Sequence, residues 1–218
     1  MLADMERLRR FTLITDLPPY SFLFMYQNVQ SLRKHFHVAK SQPFVDKSDC
    51  VFFCETWLDS ADMSEDYKIE NFTLRRFDNQ GMNNRQHAGY VLYSKTNSIC
   101  VESTITHGVQ FVDVILVAVH RRPYATNVEQ FKEALIHIIE PYACRKMCLF
   151  GDFNLESSSA SNLAELLSTY HLHRLNDEFT TEGQTNIDLV FCSENLNMIT
   201  IVGENVFSYH KPIVFLYN

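Results

Sequence analysis

Six polar residues of this chain stand where long apolar runs end or begin. Asn28 closes FLFMYQN, Glu55 follows VFFC, Asp152 and Asn154 end MCLFGDFN, Asp188 opens DLVF, and His210 sits in FSYHKPIVF. Taken singly, each has a plain structural explanation. A Gly-Asp-x-Asn after a strand makes a turn, a Glu can be a solvated strand end, and a lone His is more often structural than chemical. Glu55 and Asp152 resist that explanation, because a carboxylate directly after an apolar run is costly unless it is paired, metal-bound or at a sheet edge facing a cleft. Asp188 lies inside a buried-strand pattern, NIDLVF, where a charge needs an ionisable partner. Pairing it with His210 would satisfy both, since the carboxylate fixes the imidazole tautomer and stabilises its charged form.

The elements that must position these residues are legible as apolar runs separated by turn signals. Nine such runs read as strands: FLFMYQNV, VFFCETW, FTLRRF, GYVLYS, VDVILVAVH, MCLFGDF, IDLVF, MITIV and PIVFLY. Several are apolar at nearly every position, as strands covered on both faces are. Two helices are readable between them. TNVEQFKEALIHIIE opens on a capping box, Thr126 with Glu129, and puts Phe131, Leu135, Ile138 and Ile139 on one face before Pro141 stops it. SNLAELLSTYHL has a cap at Ser161 or Asn162 and a stripe of Leu163, Leu166, Leu167 and Tyr170. A third helix is expected from near Ser31 through LRKHFHVAK. Asp78 to Gly89 and LESSSAS after Asn154 read as surface loops. The pattern predicts an α/β (α+β) domain, most simply two packed sheets with helices outside.

A chain of 218 residues suits one domain with a full core. No apolar run approaches the roughly 20 residues of a membrane span, and the opening MLADMERLRRFTLITDLPPY carries acids and arginines where a secretory signal is apolar. The expectation is an intracellular protein that does not engage a membrane. Cys50, Cys54, Cys144, Cys148 and Cys192 lie in or beside strand-like runs and Cys100 follows one, which reads as core thiols rather than a disulfide framework. A zinc site from Cys50, Cys54, Cys144 and Cys148 is the rival reading, disfavoured because zinc cysteines come from tight turns. The net charge of -7 excludes a simple basic coat for nucleic acid, but not an acidic metal site with basic groups around it.

In order along the chain, NVQSL, ETWL, AGYVLYSK, VAVHRRP, GDFN, IDLVF and SYHKPI resemble the endonuclease/exonuclease/phosphatase superfamily, the DNase I-like fold. The wording is most similar to the apurinic-type endonuclease domains of mobile elements, of non-LTR retrotransposon or Helitron type. The resemblance runs from Phe22 to Tyr217. It implies a four-layer sandwich of two mixed, mainly antiparallel β-sheets packed face to face with helices outside, formed by residues 22–218 after an N-terminal extension of 1–21. It implies a Mg2+-dependent DNA endonuclease, with Mn2+ as an alternative ion, that nicks to leave 3'-hydroxyl and 5'-phosphate ends. By the same resemblance Glu55 is the principal metal ligand and Asn28 positions the metal end of the site. Asp152 aligns or deprotonates the attacking water, Asn154 holds the phosphate, and Asp188 orients His210 against the scissile phosphate. Nuclear access would follow from a DNA substrate, and the chain could be one part of a larger polyprotein with reverse transcriptase or helicase.

Two positions depart from the family pattern. His120 in VAVHRRP stands where many members have tyrosine; it reads either as a second acid or phosphate contact, or as a strand-end histidine facing solvent. Tyr209 replaces the carboxylate of the usual Ser-Asp-His. A neutral phenol is a poor Mg2+ ligand, so metal binding should lean on Glu55 and be weaker than in relatives. Arg33, Arg121, Arg122 and Lys211 adjoin the motifs and are the expected phosphate contacts; Arg75 and Arg76 are remote and read as solvated. Two further readings keep the fold: a phosphoesterase acting on inositol phosphates, sphingomyelin or poly(A), and a catalytically weakened relic, for which Tyr209 is the motive.

Overall fold

A computed structural model describes residues 22–78, 89–95, 100–103, 107–111, 114–122 and 127–217. The extension 1–21, most of the loop expected after Asp78, and Thr126 of the expected capping box lie outside the described residues.

Each of the nine apolar runs contains a strand. These are β1 (Phe22–Asn28), β2 (Cys50–Cys54), β3 (Thr73–Phe77), β4 (Tyr90–Ser94), β7 (Val114–His120), β8 (Lys146–Asp152), β10 (Asp188–Ser193), β11 (Met198–Val202) and β12 (Ile213–Tyr217). Three more, β5 (Cys100–Ser103), β6 (His107–Phe111) and β9 (Leu172–Arg174), are short and lack an apolar run, which is why sequence pattern misses them. The strands make two six-stranded sheets, ordered β11-β12-β1-β2-β4-β3 and β5-β6-β7-β8-β10-β9. In each sheet one parallel pair, β1 with β2 or β7 with β8, is flanked by antiparallel neighbours.

A parallel pair needs a crossover, and helices supply both. α1 (Leu32–Ala39) joins β1 to β2, and α2 (Val128–Ile139) joins β7 to β8. α1 starts beside Ser31 as expected, and Ser31 caps it, its hydroxyl accepting from the Lys34 N–H at 3.3 Å. In α2 the capping side chain is Asn127, which accepts from the Gln130 N–H at 2.9 Å. α3 (Ser157–Ser168) corrects the loop reading of LESSSAS, because the helix begins four residues before the expected cap at Ser161. Ser161 satisfies its hydroxyl inside the helix on the Ser157 carbonyl at 2.9 Å, so a serine run that reads as a turn is carried as a first helical turn.

Period-two alternation splits every central strand between two cores. Phe24 and Tyr26 point between the sheets, while Leu23 and Met25 point outward under α1. Likewise Cys148 and Phe150 face the first sheet, and Met147 and Leu149 face α2 and α3. Strands apolar on both faces result, and four layers follow: α1, first sheet, second sheet, α2 with α3. Phe150 centres the middle layer, 4.9 Å from Phe24, 5.3 Å from Phe215, 5.5 Å from Tyr26 and 5.8 Å from Phe52 between ring centroids. Each buried ring of this kind contributes roughly 1.5–3 kcal/mol.

Cys50, Cys54, Cys148 and Cys192 are buried free thiols of the middle layer, and Cys144 is a free, exposed one. Among the described residues no cysteine joins a cluster of three or more metal-ligating groups, which removes the zinc reading. No helix of the described residues is long and apolar enough to cross a membrane.

Candidate active site

Strand direction decides where the polar residues meet. β1 and β2 run parallel and end at Asn28 and Cys54, which are register partners, so Asn28 and Glu55 leave the first sheet together. In the second sheet His120 is the register partner of Asp152 at the ends of β7 and β8, and Asp188 opposes Asp152 at the start of antiparallel β10. Packing one sheet on the other then brings both ends to one place.

Asn28 ties the two sheets at that place. Its amide nitrogen donates to Glu55 Oε1 and to Asp152 Oδ2, both at 3.0 Å, while its Oδ1 accepts the Gln30 N–H at 3.2 Å. Only this orientation gives each atom a partner of the right kind, since a flipped amide would aim oxygen at two carboxylates. Glu55 Oε1 also lies 3.1 Å from His120 Nε2. Asp152 Oδ1 accepts the Asn154 N–H at 3.1 Å. On the far side His210 Nδ1 is 2.8 Å from Asp188 Oδ2, the pairing expected from sequence, and its Nε2 turns to within 3.8 Å of Asp152 Oδ2.

The turns that present these groups are strained. Glu55 has φ 51° and Asn154 φ 46°; a left-handed residue other than glycine costs about 1–2 kcal/mol, and such strain persists only where the surroundings over-determine it. Here the Ser31 N–H bonds the Glu55 carbonyl at 2.8 Å and the Leu32 N–H bonds that of Thr56 at 2.9 Å, so α1 clamps the turn. Gly151, at φ 141°, lets β8 pass so close to β7 that a Cβ would stand 1.9 Å from the Val119 carbonyl oxygen.

Burial and charge set unusual ionisation. Burial, then the neighbouring Asp188 charge, push Asp152 up to about 7 despite the opposing His210, His120 and Asn28. Burial disfavours the charged His210, but the Asp188 charge and hydrogen bond outweigh it and carry the imidazole up to about 9. Burial also raises Glu55, yet the bonds from His120 and Asn28 prevail and hold it below the ordinary carboxylate value. The result is one carboxylate poised to exchange a proton near neutrality beside an imidazolium.

Two basic residues are not where sequence proximity suggested. The Arg33 guanidinium pairs with Asp59 and Asp62 on the surface, so its charge is neutralised rather than offered to a phosphate. Arg121 is buried; its guanidinium donates to the Asn154 carbonyl at 2.7 Å, and the Asn154 side chain returns a bond to the Arg121 carbonyl at 2.7 Å. That reciprocal clamp fixes the Asn154 turn and occupies part of the amide expected to meet substrate. Arg122 is exposed and Lys211 half-buried beside His210. Arg76, read as solvated, instead pairs with Asp78 at 2.6 Å and donates to the Asp59 and Asp62 carbonyls.

Three contributors escaped sequence reasoning. The Tyr26 hydroxyl donates to Asp188 Oδ1 at 3.3 Å and lies 3.1 Å from Cys54 Sγ. Ser208 Oγ donates to the Asn28 carbonyl at 2.6 Å and accepts the His210 N–H at 3.2 Å. Gln27 donates to the His210 carbonyl at 2.9 Å. Ser208 was findable as the first residue of the SYH motif, whereas Tyr26 and Gln27 read as strand filler. Tyr209 is 40% exposed, its ring edge-on to His210 at 5.6 Å and its hydroxyl seated over Gly183.

Two packed, helix-covered six-stranded sheets, each built around a parallel pair, make the DNase I-like fold. Among solved structures the chain is similar to the endonuclease domain of TRAS1, a telomere-specific non-LTR retrotransposon, with TM-score 0.68, 16% identity, and 91% of this chain and 98% of that one covered. It is similar also to the 3'-5' exonuclease of Neisseria meningitidis, with TM-score 0.69, 15% identity and 90% and 100% covered. A third neighbour is an AP endonuclease from Archaeoglobus fulgidus, with TM-score 0.68, 12% identity and 90% and 99% covered. No family model and no curated protein matches the sequence.

Proposed function

We propose that this chain is a divalent-metal-dependent phosphodiesterase acting on DNA, nicking one strand to leave 3'-hydroxyl and 5'-phosphate ends. The observation that carries the reading is the convergence of Glu55, His120, Asp152, Asp188 and His210, from both sheets, within one hydrogen-bonded cluster. A phosphodiester requires a positioned nucleophile, a hard cation on oxygen ligands and donors to the negative charge that builds on phosphorus oxygens.

The residues present fit a cation. Glu55 is ionised at neutral pH, half-buried, and faces Asp152 across the Asn28 amide. Glu55 and Asp152 would hold Mg2+ or Mn2+, which when bound supplies Lewis-acid polarisation of the phosphoryl group. Asn28 would keep the two carboxylates convergent through its N–H groups rather than ligate. Asp152 would align the attacking water beside the cation. His210, held protonated by Asp188, donates from Nε2 to a phosphate oxygen. Arg122 and Lys211 form the basic rim for flanking phosphates.

DNA is favoured over other phosphoesters because two of the neighbours above are endonucleases, and a similar Neisseria 3' phosphatase is bound to a product DNA hairpin. The same relationship to a retrotransposon domain supports descent from a mobile element. Nicking of supercoiled plasmid with and without Mg2+ or Mn2+ tests the proposal, using the unmodified chain, Asp152→Ala and His210→Ala. Metal-dependent nicking lost in both variants is the expected result. Nicking unchanged in both would overturn the assignment, and turnover of a soluble phosphoester without nicking would replace DNA as the substrate.

A further inference from the structure

Glu55, His120 and Asp152 each offer one ligand atom, and these atoms lie within 4.8 Å of one another. From this arrangement we infer that His120 is itself a metal ligand, and that the site selects a first-row transition dication such as Mn2+ or Zn2+ over Mg2+.

The separations already suit coordination. Glu55 Oε1 and His120 Nε2 are 3.1 Å apart, and two atoms each bound at about 2.1 Å at right angles around one octahedral cation stand about 3 Å apart. At that distance His120 is hydrogen-bonded to Glu55; with the imidazole proton on Nδ1 instead, the same Nε2 would offer a lone pair to a cation. Tyr90 packs edge-on against that ring at 6.3 Å and 79°, which restrains its plane.

Backbone register holds the donors together. His120 and Asp152 are paired residues of adjacent parallel strands, and Asn28 draws Glu55 to Asp152 from the other sheet. Among the described residues no third carboxylate joins the Glu55–Asp152 group, so the imidazole is its third donor. A set of two carboxylates and one imidazole differs in kind from an all-oxygen shell. Mg2+ favours oxygen and water, whereas imidazole nitrogen adds affinity for transition ions. His210 offers the other nitrogen in reach, but its Nδ1 is engaged by Asp188 and its Nε2 lies 3.8 Å from Asp152 Oδ2, in a separate group with Asp152 and Asp188.

This deepens the metal-dependent reading and rests on it only for the presence of a cation at Glu55. The test is therefore made without substrate, on the full chain. Mn2+ is titrated by EPR and displaced with Mg2+, and pulsed EPR records whether a directly bound nitrogen modulates the Mn2+ signal. Expected are Mn2+ affinity at least about tenfold above that for Mg2+, and nitrogen modulation that persists in His210→Gln and vanishes in His120→Gln. Absence of nitrogen modulation in the unmodified chain overturns the inference whether or not the variants fold, as does modulation that survives His120→Gln or disappears only in His210→Gln. Nitrogen-coupled Mn2+ in a chain that does not nick DNA would sink the proposed activity and leave this site standing; nicking without nitrogen coupling would do the reverse.

Discussion

Asp152 and Asp188 face each other as register partners across the β8–β10 pair, yet the structure gives them different company. Asp188 is enclosed by His210 Nδ1 at 2.8 Å and the Tyr26 hydroxyl at 3.3 Å. Asp152 is held by the neutral amide of Asn28 and the Asn154 N–H, with the His210 imidazole 3.8 Å away. One carboxylate has a direct cationic partner and the other has only a near one, so the opposing charge bears on Asp152. In the proposed reaction the two acids in adjacent strands would take different parts, Asp188 as counter-ion of His210 and Asp152 as the carboxylate open to a cation or water.

The pH dependence follows. A bound cation would keep Asp152 ionised, so at saturating metal nicking should be limited on the basic side, falling as pH passes about 9, where His210 loses its proton. A profile of kcat/KM that falls away on the basic side, measured at saturating metal, is the expected outcome. Stability moves with the same groups. Both are raised in the folded state, so each contributes most below its unfolded value and loses that contribution as pH rises through the folded one. Without added metal, denaturation midpoints should therefore decline from about pH 4 to pH 9, Asp152 acting first and His210 later.

Asp188→Asn should leave the fold intact and remove the counter-ion of His210. The imidazolium is then lost at lower pH, and nicking at neutral pH should drop by about 10²–10⁴-fold, the range of an acid–base group. The basic limb of the profile should move to lower pH. Tyr26→Phe keeps the ring in the middle core and removes one bond to Asp188; a loss of about 1–3 kcal/mol in urea denaturation is expected for a hydrogen bond to a charged group.

Gly151→Ala tests the close approach of the two strands that carry His120 and Asp152. A Cβ would collide with the Val119 backbone from a conformation that disfavours side chains, and a destabilisation on the order of 4 kcal/mol or more is expected. Thermal unfolding measures it. A midpoint within a degree or two of the unmodified chain would show that β7 and β8 are not so tightly apposed.

Tyr209→Asp restores the carboxylate that the resemblance leads one to expect. The phenol lies beside His210 with its hydroxyl over Gly183, so a carboxylate placed there adds charge at the edge of the site. Less Mg2+ should be needed for half-maximal nicking. Identical metal titrations in the two forms would show that the position is remote from the ion.

Much of this site was legible in the sequence because strand ends are legible. Glu55, Asp152, Asp188 and His210 announce themselves as charges against apolar runs, and burying them requires partners; the Asp188–His210 bond is that requirement met. The loop reading of LESSSAS failed because serine hydroxyls can cap a turn or fold back into a helix, and which occurs depends on what Ala160, Leu163 and Leu167 pack against. Arg33 and Arg121 misled because adjacency in sequence says nothing of direction. The first points to Asp59 and Asp62, and the second turns inward to Asn154.

By itself the sequence determined the residue types at strand ends and the two-sided burial of the strands, since both follow from local period and hydrophobicity. Only the tertiary structure decided which sheet ends meet, that Asn28 spans Glu55 and Asp152, that Tyr26 reaches Asp188 across the core, and that His120 lies 3.1 Å from Glu55 rather than facing solvent. Those contacts join residues from 27 to 162 positions apart, and their geometry is set by register and sheet packing, which no local pattern encodes.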